Sequence, residues 1–119
     1  MRFLTIAAAT AVVALACPAA AADLGGDYLA EGSCPAAGSA YRGTLTIQSH
    51  GLFHDLTWRI GNDVVAGRGM EHDGRMVIEF RFADGTAGLM EMSRSGRSWR
   101  GTWAVYGTDT LCSETWTPG

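Results

Sequence analysis

Trp99-Arg100-Gly101-Thr102-Trp103-Ala104-Val105 is the stretch of sequence that decides the fold. Its two tryptophans and its valine fall on alternate positions, so one face of an extended chain is bulky and apolar. Alternation with a period of two predicts a strand buried on one side. Gly101 lies on that same face, although glycine in a strand gives up packing and costs backbone entropy. We interpret Gly101 as a residue that leaves space on the inner face, which a strand needs when it coils tightly around a closed barrel.

Turn signals divide the rest of the chain at short, even intervals. Asp-Gly and Gly-Asn pairs between alternating apolar runs are typical of hairpins, and residues 23–119 show no convincing helical period. The sequence therefore predicts the all-β class, with a small antiparallel up-and-down β-barrel of about eight strands. The predicted strands cover residues 27–34, 40–48, 53–60, 64–70, 76–82, 87–93, 99–105 and 110–117.

Glycine recurs on the predicted inner face of several strands, at Gly32, Gly43, Gly67, Gly69 and Gly101. One such glycine would mark a bulge, whereas five across four strands indicate a shared geometric demand. The strands of a small closed barrel coil and tilt sharply, and this geometry requires small residues on the inner face. A two-sheet sandwich is the competing architecture, and it would need fewer inward glycines.

The first 22 residues have the features of a cleaved secretory signal peptide. Arg2 supplies a positive start, residues 3–16 are small and apolar, and alanines at 19–22 offer a cleavage site after Ala22 or Ala21. We therefore expect a β-barrel domain at 23–119 in the periplasm or the medium. Cys17 faintly resembles the cysteine of a lipoprotein box, but we expect it to be discarded with the leader rather than to carry a lipid anchor.

Removal of the leader leaves Cys34 and Cys112. An exported chain meets an oxidising compartment, so we expect one disulfide that joins the first strand region to the last. Loop-closure arguments give it roughly 4 kcal/mol.

Composition excludes several function classes. The chain has a net charge of −3 and contains no lysine, so it lacks the basic footprint of a nucleic-acid-binding protein. It also lacks a basic amphipathic segment for membrane surfaces, and the mature part has no apolar run that predicts a membrane span. No nucleophile motif is present. We therefore expect a protein that is not an enzyme and that uses no cofactor.

Several short elements occur in a recognisable order: Tyr41-x-Gly43, Trp58-Arg59-Ile60-Gly61, Gly67-x-Gly69, Gly101-x-Trp103 and Glu114-Thr115-Trp116-Thr117-Pro118. Together they resemble a group of small exported bacterial proteins of largely unknown function, some of which are labelled fibronectin-binding. The resemblance implies a small barrel in the broad manner of avidins and lipocalins, and it implies no catalytic residues. The cysteine pair departs from it, because many members lack such a pair.

Four tryptophans and one glutamate form the candidate pocket: Trp58, Trp99, Trp103, Glu114 and Trp116. The tryptophans could wall an apolar pocket at one barrel mouth or fill the interior, and the short strands favour filling. Alternation places Glu114 on their face, where a partly buried carboxylate needs an arginine or a tyrosine hydroxyl such as Tyr28 or Tyr41. A structural role at barrel closure is favoured for Glu114 over a ligand contact.

The remaining polar clusters have simpler interpretations. We interpret His50, His54 and His72 as solvated turn residues and expect no metal site, because the strand pattern separates His50 from His54. Residues 93–98 predict an exposed, charged hairpin tip. We hypothesise an exported binding module for a small apolar molecule or a protein partner at a barrel end. The alternative is an enzyme inhibitor or interaction domain that acts through its hairpin loops.

Overall fold

The computed structural model describes residues 24–35 and 38–119. The predicted leader, its cleavage site and Cys17 lie outside the described residues. The described part is an all-β closed antiparallel barrel, as predicted, and it contains no helix long and apolar enough to cross a bilayer. Its eight strands are β1 (Gly26–Cys34), β2 (Ser39–His50), β3 (Phe53–Ile60), β4 (Asp63–His72), β5 (Arg75–Arg81), β6 (Ala87–Ser95), β7 (Ser98–Val105) and β8 (Cys112–Pro118).

Each strand pairs with the next along the chain, and β8 returns to pair with β1. At that closing seam Ala30 lies opposite Trp116, and Gly32 lies opposite Glu114. Every strand in the barrel therefore has two hydrogen-bonded neighbours. Closure leaves none of these strands with an unpaired edge that could recruit another chain.

The period-two alternation in the sequence corresponds to side chains that point alternately into the barrel and out to solvent. In β5, Met76, Ile78 and Phe80 are buried while the residues between them are exposed. In β6, Met90 and Met92 point inward and Leu89 points outward.

The inward glycines occupy positions where a side chain has no room. A Cβ on Gly67 would lie 2.9 Å from the Trp58 ring and 3.0 Å from Ile78, and a Cβ on Gly101 would overlap the backbone of Glu91. The predicted role of these glycines is confirmed, since adjacent strands and inner side chains approach too closely for any other residue. Gly88 has the same crowded surroundings.

The two ends of the barrel differ. We call the end with the β2–β3, β4–β5 and β6–β7 turns the closed end, and the opposite end the open end. Buried side chains fill the closed half, and they include Leu45, Leu56, Met76, Ile78, Met92, Trp99 and Trp116. Toward the open end the walls remain apart around a cavity. The prediction of a filled interior is therefore right for the closed half and wrong for the open half.

The predicted disulfide is present between Cys34 and Cys112, whose Cα atoms lie 4.4 Å apart. It joins the last residue of β1 to the first residue of β8 at the rim of the open end. The disulfide therefore reinforces the seam at which the barrel closes.

We expect a Cys34→Ser/Cys112→Ser double variant to lose about 4 kcal/mol of unfolding free energy, because the bridge closes a long loop in the unfolded chain. Equilibrium urea unfolding of the oxidised wild type and the double variant measures the loss. The wild type in excess reductant is the matched control and should unfold at the variant's midpoint. Equal midpoints for the variant and the oxidised wild type would contradict the expectation.

Candidate functional site

A cavity of about 240 Å³ opens at the open end of the barrel. Its rim is formed by residues near the strand ends, including Ser39, Ile60 and Asp63. Two strand positions deeper, Trp58 and Val65 line it. Most of the lining is apolar, with a few polar groups, which is the usual character of a small-molecule site.

Four aromatic rings, each in contact with the next, cover one side of the cavity. We call them the aromatic wall: Tyr41, Trp103, Phe80 and Phe82. Ring centroids of Tyr41 and Trp103 lie 6.2 Å apart, those of Trp103 and Phe80 lie 5.5 Å apart, and those of Phe80 and Phe82 lie 5.6 Å apart. All three contacts are edge-to-face, a favourable geometry for aromatic pairs. Each ring therefore holds its neighbour in place.

Glu114 lies at the deeper level of the cavity and accepts three hydrogen bonds. The indole nitrogens of Trp58 and Trp116 both donate to its Oε2, at 2.8 and 2.6 Å, and the Tyr41 hydroxyl donates to its Oε1. The Tyr41 oxygen in turn accepts from the indole of Trp103 at 2.8 Å. A buried carboxylate is tolerated only with such partners. The network joins β2, β3, β7 and β8 across the barrel.

Burial dominates the electrostatics of this network. Loss of solvent raises the pKa of Glu114, and the three donors oppose the rise without cancelling it. Burial, followed by the negative charge of Glu114, raises the pKa of Tyr41. The ion pairs seen within residues 24–35 and 38–119 involve other carboxylates. Glu114 is therefore held by neutral donors, and its charge has no cationic partner in the part of the chain that the structure describes.

The five residues of the predicted pocket divide into two groups. Trp58, Trp103 and Glu114 line the cavity. Trp99 and Trp116 do not. They lie opposite each other, two strand positions deeper than Glu114, and are 1% and 0% exposed. They form part of the filled closed half. Trp116 supports the site from below, through its hydrogen bond to Glu114 and its ring contact with Trp58.

Sequence reasoning missed much of the lining. Of the two tyrosines proposed as partners of Glu114, Tyr41 makes the contact, whereas the Tyr28 hydroxyl donates to the Leu24 carbonyl at 2.8 Å. Phe80, Phe82 and the aliphatic lining residues are absent from the pocket predicted from the sequence. Their position near the same ends of neighbouring strands was the signal that could have placed them together.

His54 is not a solvated turn residue, so that interpretation is wrong. It is 2% exposed and points inward from β3, with its Nδ1 2.9 Å from the Ser49 hydroxyl, and burial lowers its pKa. His50 lies on the outer face, where its Nε2 is 3.2 Å from Asp55. The barrel wall therefore separates these two imidazoles.

The charged hairpin at residues 93–98 lies at the closed end, opposite the cavity. Arg94 and Arg97 are exposed there, and the Arg94 guanidinium lies 5.9 Å from the centre of the Trp99 ring. The hairpin is thus exposed, as predicted, and contributes nothing to the cavity.

Comparison with known proteins bears on the fold alone. No protein family and no curated protein matches the sequence. Among solved structures, the chain is similar to a de novo designed fluorescence-activating β-barrel. The two share 17% sequence identity with a TM-score of 0.62, over 84% of this chain and 97% of the designed one.

Proposed function

We propose that this protein is an exported binding module that holds one small, largely apolar molecule in the open-end cavity. The observation that carries the proposal is the open space of about 240 Å³ between Trp58 and Trp103. Ligand sites commonly span about 300–1,000 Å³, and this cavity is slightly below that range, so it suits a small molecule. The disulfide is compatible with the oxidising compartment in which such a protein would act.

Rigidity of the cavity supports the same proposal. Each wall strand is hydrogen-bonded on both sides, and the Cys34–Cys112 bridge fixes the rim. The Glu114 network fixes three aromatic side chains of the cavity lining: Tyr41 and Trp58 directly, and Trp103 through its hydrogen bond to Tyr41. A site that is already ordered loses less conformational entropy on binding, so little of the contact energy is spent on ordering it.

Val65→Trp is expected to abolish ligand binding while leaving the barrel folded, because the indole occupies space that the cavity now leaves open. Native mass spectrometry of protein purified from its own cell envelope measures the co-purifying ligand. The expected result is a mass excess on the wild type that is absent, or reduced at least about tenfold, on Val65→Trp.

Val64→Trp is the matched control, since the same substitution on the neighbouring residue points outward, where Val64 is 49% exposed. It should keep the bound mass. If Val65→Trp and Val64→Trp carried the same bound mass, the ligand would have to bind outside the cavity. A wild-type protein without any bound mass would count against a ligand that co-purifies with it.

A protein-interaction role through the closed end is the second candidate, because an apolar row crosses the outer surface there. Phe53, Met70 and Val77 lie side by side on β3, β4 and β5 and are 52%, 49% and 46% exposed. Exposed apolar groups that are contiguous mark interaction sites more often than single ones do. In the same native spectra, a protein-sized mass that is lost on Phe53→Ser and kept on Val65→Trp would favour this candidate.

A further inference from the structure

We propose that the cavity selects a small organic cation, an amine or quaternary ammonium that carries an apolar or aromatic group, over neutral and anionic molecules of the same shape. This inference rests on the proposed function, because it specifies the charge of the molecule that the cavity holds. Two independent features of the lining carry it: the aromatic rings and the sign of the charges.

Several aromatic rings border one small space. Tyr41, Trp103, Phe80 and Phe82 form the aromatic wall, and Trp58 adds a fifth ring at the deeper level. The faces of aromatic rings carry partial negative charge and attract cations within about 6 Å, most strongly when the site excludes water. Grouped aromatic side chains are the usual protein solution for holding a quaternary ammonium group.

Formal charges in the lining have one sign. Glu114 lies at the deeper level and Asp63 at the rim, and no arginine or histidine is among the described residues that line the cavity. The neighbouring arginines point outward: Arg42 pairs with Glu31 at 3.3 Å on the outer surface, and Arg59 is exposed. An anion would therefore enter this space against two carboxylates, and a cation would enter toward them.

The hydrogen bonds to Glu114 leave its charge available to a ligand. Indole and phenol donors are neutral, so they stabilise the carboxylate without cancelling its charge. The Tyr41 oxygen already accepts from Trp103, so its own hydrogen is the one directed at Glu114. A carboxylate has about four acceptor positions, of which three are occupied here, so one remains for a ligand N–H.

Three compounds of matched size test the inference in titrations of the oxidised full barrel followed by tryptophan fluorescence. They are benzyltrimethylammonium, its neutral carbon isostere neopentylbenzene, and the anion 3-phenylpropanoate. We expect the cation to bind at least about tenfold more tightly than the isostere, and the anion not to bind.

The inference would be overturned if the isostere or the anion bound with an affinity comparable to that of the cation. Either result would still support the proposed function. Failure of all three to bind would also overturn the inference, and the Val65→Trp comparison would then decide the proposed function separately.

Charge-removing variants give the second measurement. Asp63 is exposed at the rim, where its substitution does not threaten folding. Asp63→Asn and Glu114→Gln should each weaken binding of the cation about threefold or more relative to binding of the isostere. Glu31→Gln removes the same charge from the outer surface and should change neither affinity. Equal effects of Asp63→Asn on the cation and the isostere would overturn the inference even if Glu114→Gln failed to fold.

Discussion

Glu114→Leu is expected to lower the free energy of unfolding by about 3 kcal/mol, because it leaves two buried donors and one half-buried donor without an acceptor. The indoles of Trp58 and Trp116 and the hydroxyl of Tyr41 all donate to this carboxylate. Each orphaned donor costs about 1–3 kcal/mol, whereas removal of the buried charge recovers part of the cost of its desolvation. The net loss is thus smaller than the sum of the three. Urea unfolding measures it.

Glu114→Gln is the matched control, since the amide keeps the size and one acceptor oxygen. That oxygen can still receive both indole hydrogens, and the amide NH₂ can donate to Tyr41. We therefore expect Glu114→Gln to retain most of the stability that Glu114→Leu loses. Equal stability of Glu114→Leu and the wild type would show that the network does not hold the barrel together.

The wild type and Glu114→Gln also test the direction of the Glu114 pKa. Burial raises it above its ordinary value of 4.5, so the folded state binds the proton more tightly than the unfolded state. Between the ordinary and the raised pKa, the folded protein carries more protons, and the unfolding free energy falls as pH rises through that window. The stability of the wild type relative to Glu114→Gln should therefore increase as pH is lowered from neutral toward 4.5.

Alternation and turn chemistry were sufficient to predict the strands and the closed barrel, because both are local properties of the sequence. Residues such as Gly101 and Trp103 reveal which face points inward by their spacing alone. Closure also followed from a local signal, since inward glycines report how closely neighbouring strands approach. The Cys34–Cys112 bridge was predictable because only two cysteines remain once the predicted leader is set aside.

The division of the interior into a filled and a hollow half could not be predicted in the same way. The odd or even position of a residue along its strand (its parity) tells whether it faces inward or outward. The stagger between strands decides which inward-facing residues lie at the same depth along the barrel axis. Trp99 lies opposite Trp116, and Trp103 lies opposite Cys112. Trp99 therefore belongs to the core and Trp103 lines the cavity, although both face inward from β7. Tyr41 meets Glu114 from a distant part of the sequence for the same reason.

His54 shows the opposite case, in which the signal was present and was misinterpreted. The β2–β3 turn consists of Gly51 and Leu52, so His54 already belongs to β3. Its spacing from Leu56 and Trp58 places it on the inner face. A polar residue type was taken as evidence for a turn, although parity indicated burial. In a barrel this small, parity is the better guide.

Gly101→Ala is expected to destabilise the barrel by about 3 kcal/mol, although it adds a single methyl group to a strand. The added Cβ would overlap the backbone of Glu91 and Met92 on β6, so the β6–β7 pair would have to separate. Backbone cannot move aside as the end of a flexible side chain can, and overpacking a tight interior costs about 1–3 kcal/mol or more. Urea unfolding with the disulfide intact measures the loss.

Gly25→Ala is the matched control for the same change of residue. A Cβ there would lie 3.6 Å from its nearest neighbours, and Gly25 does not have a positive φ. Alanine also restricts the unfolded chain, so Gly25→Ala should be as stable as the wild type or slightly more stable. If Gly101→Ala were equally harmless, the inward glycines would not be what allows neighbouring strands to approach so closely. The curvature of the wall would then need another cause, because the same crowding surrounds Gly32, Gly43 and Gly88.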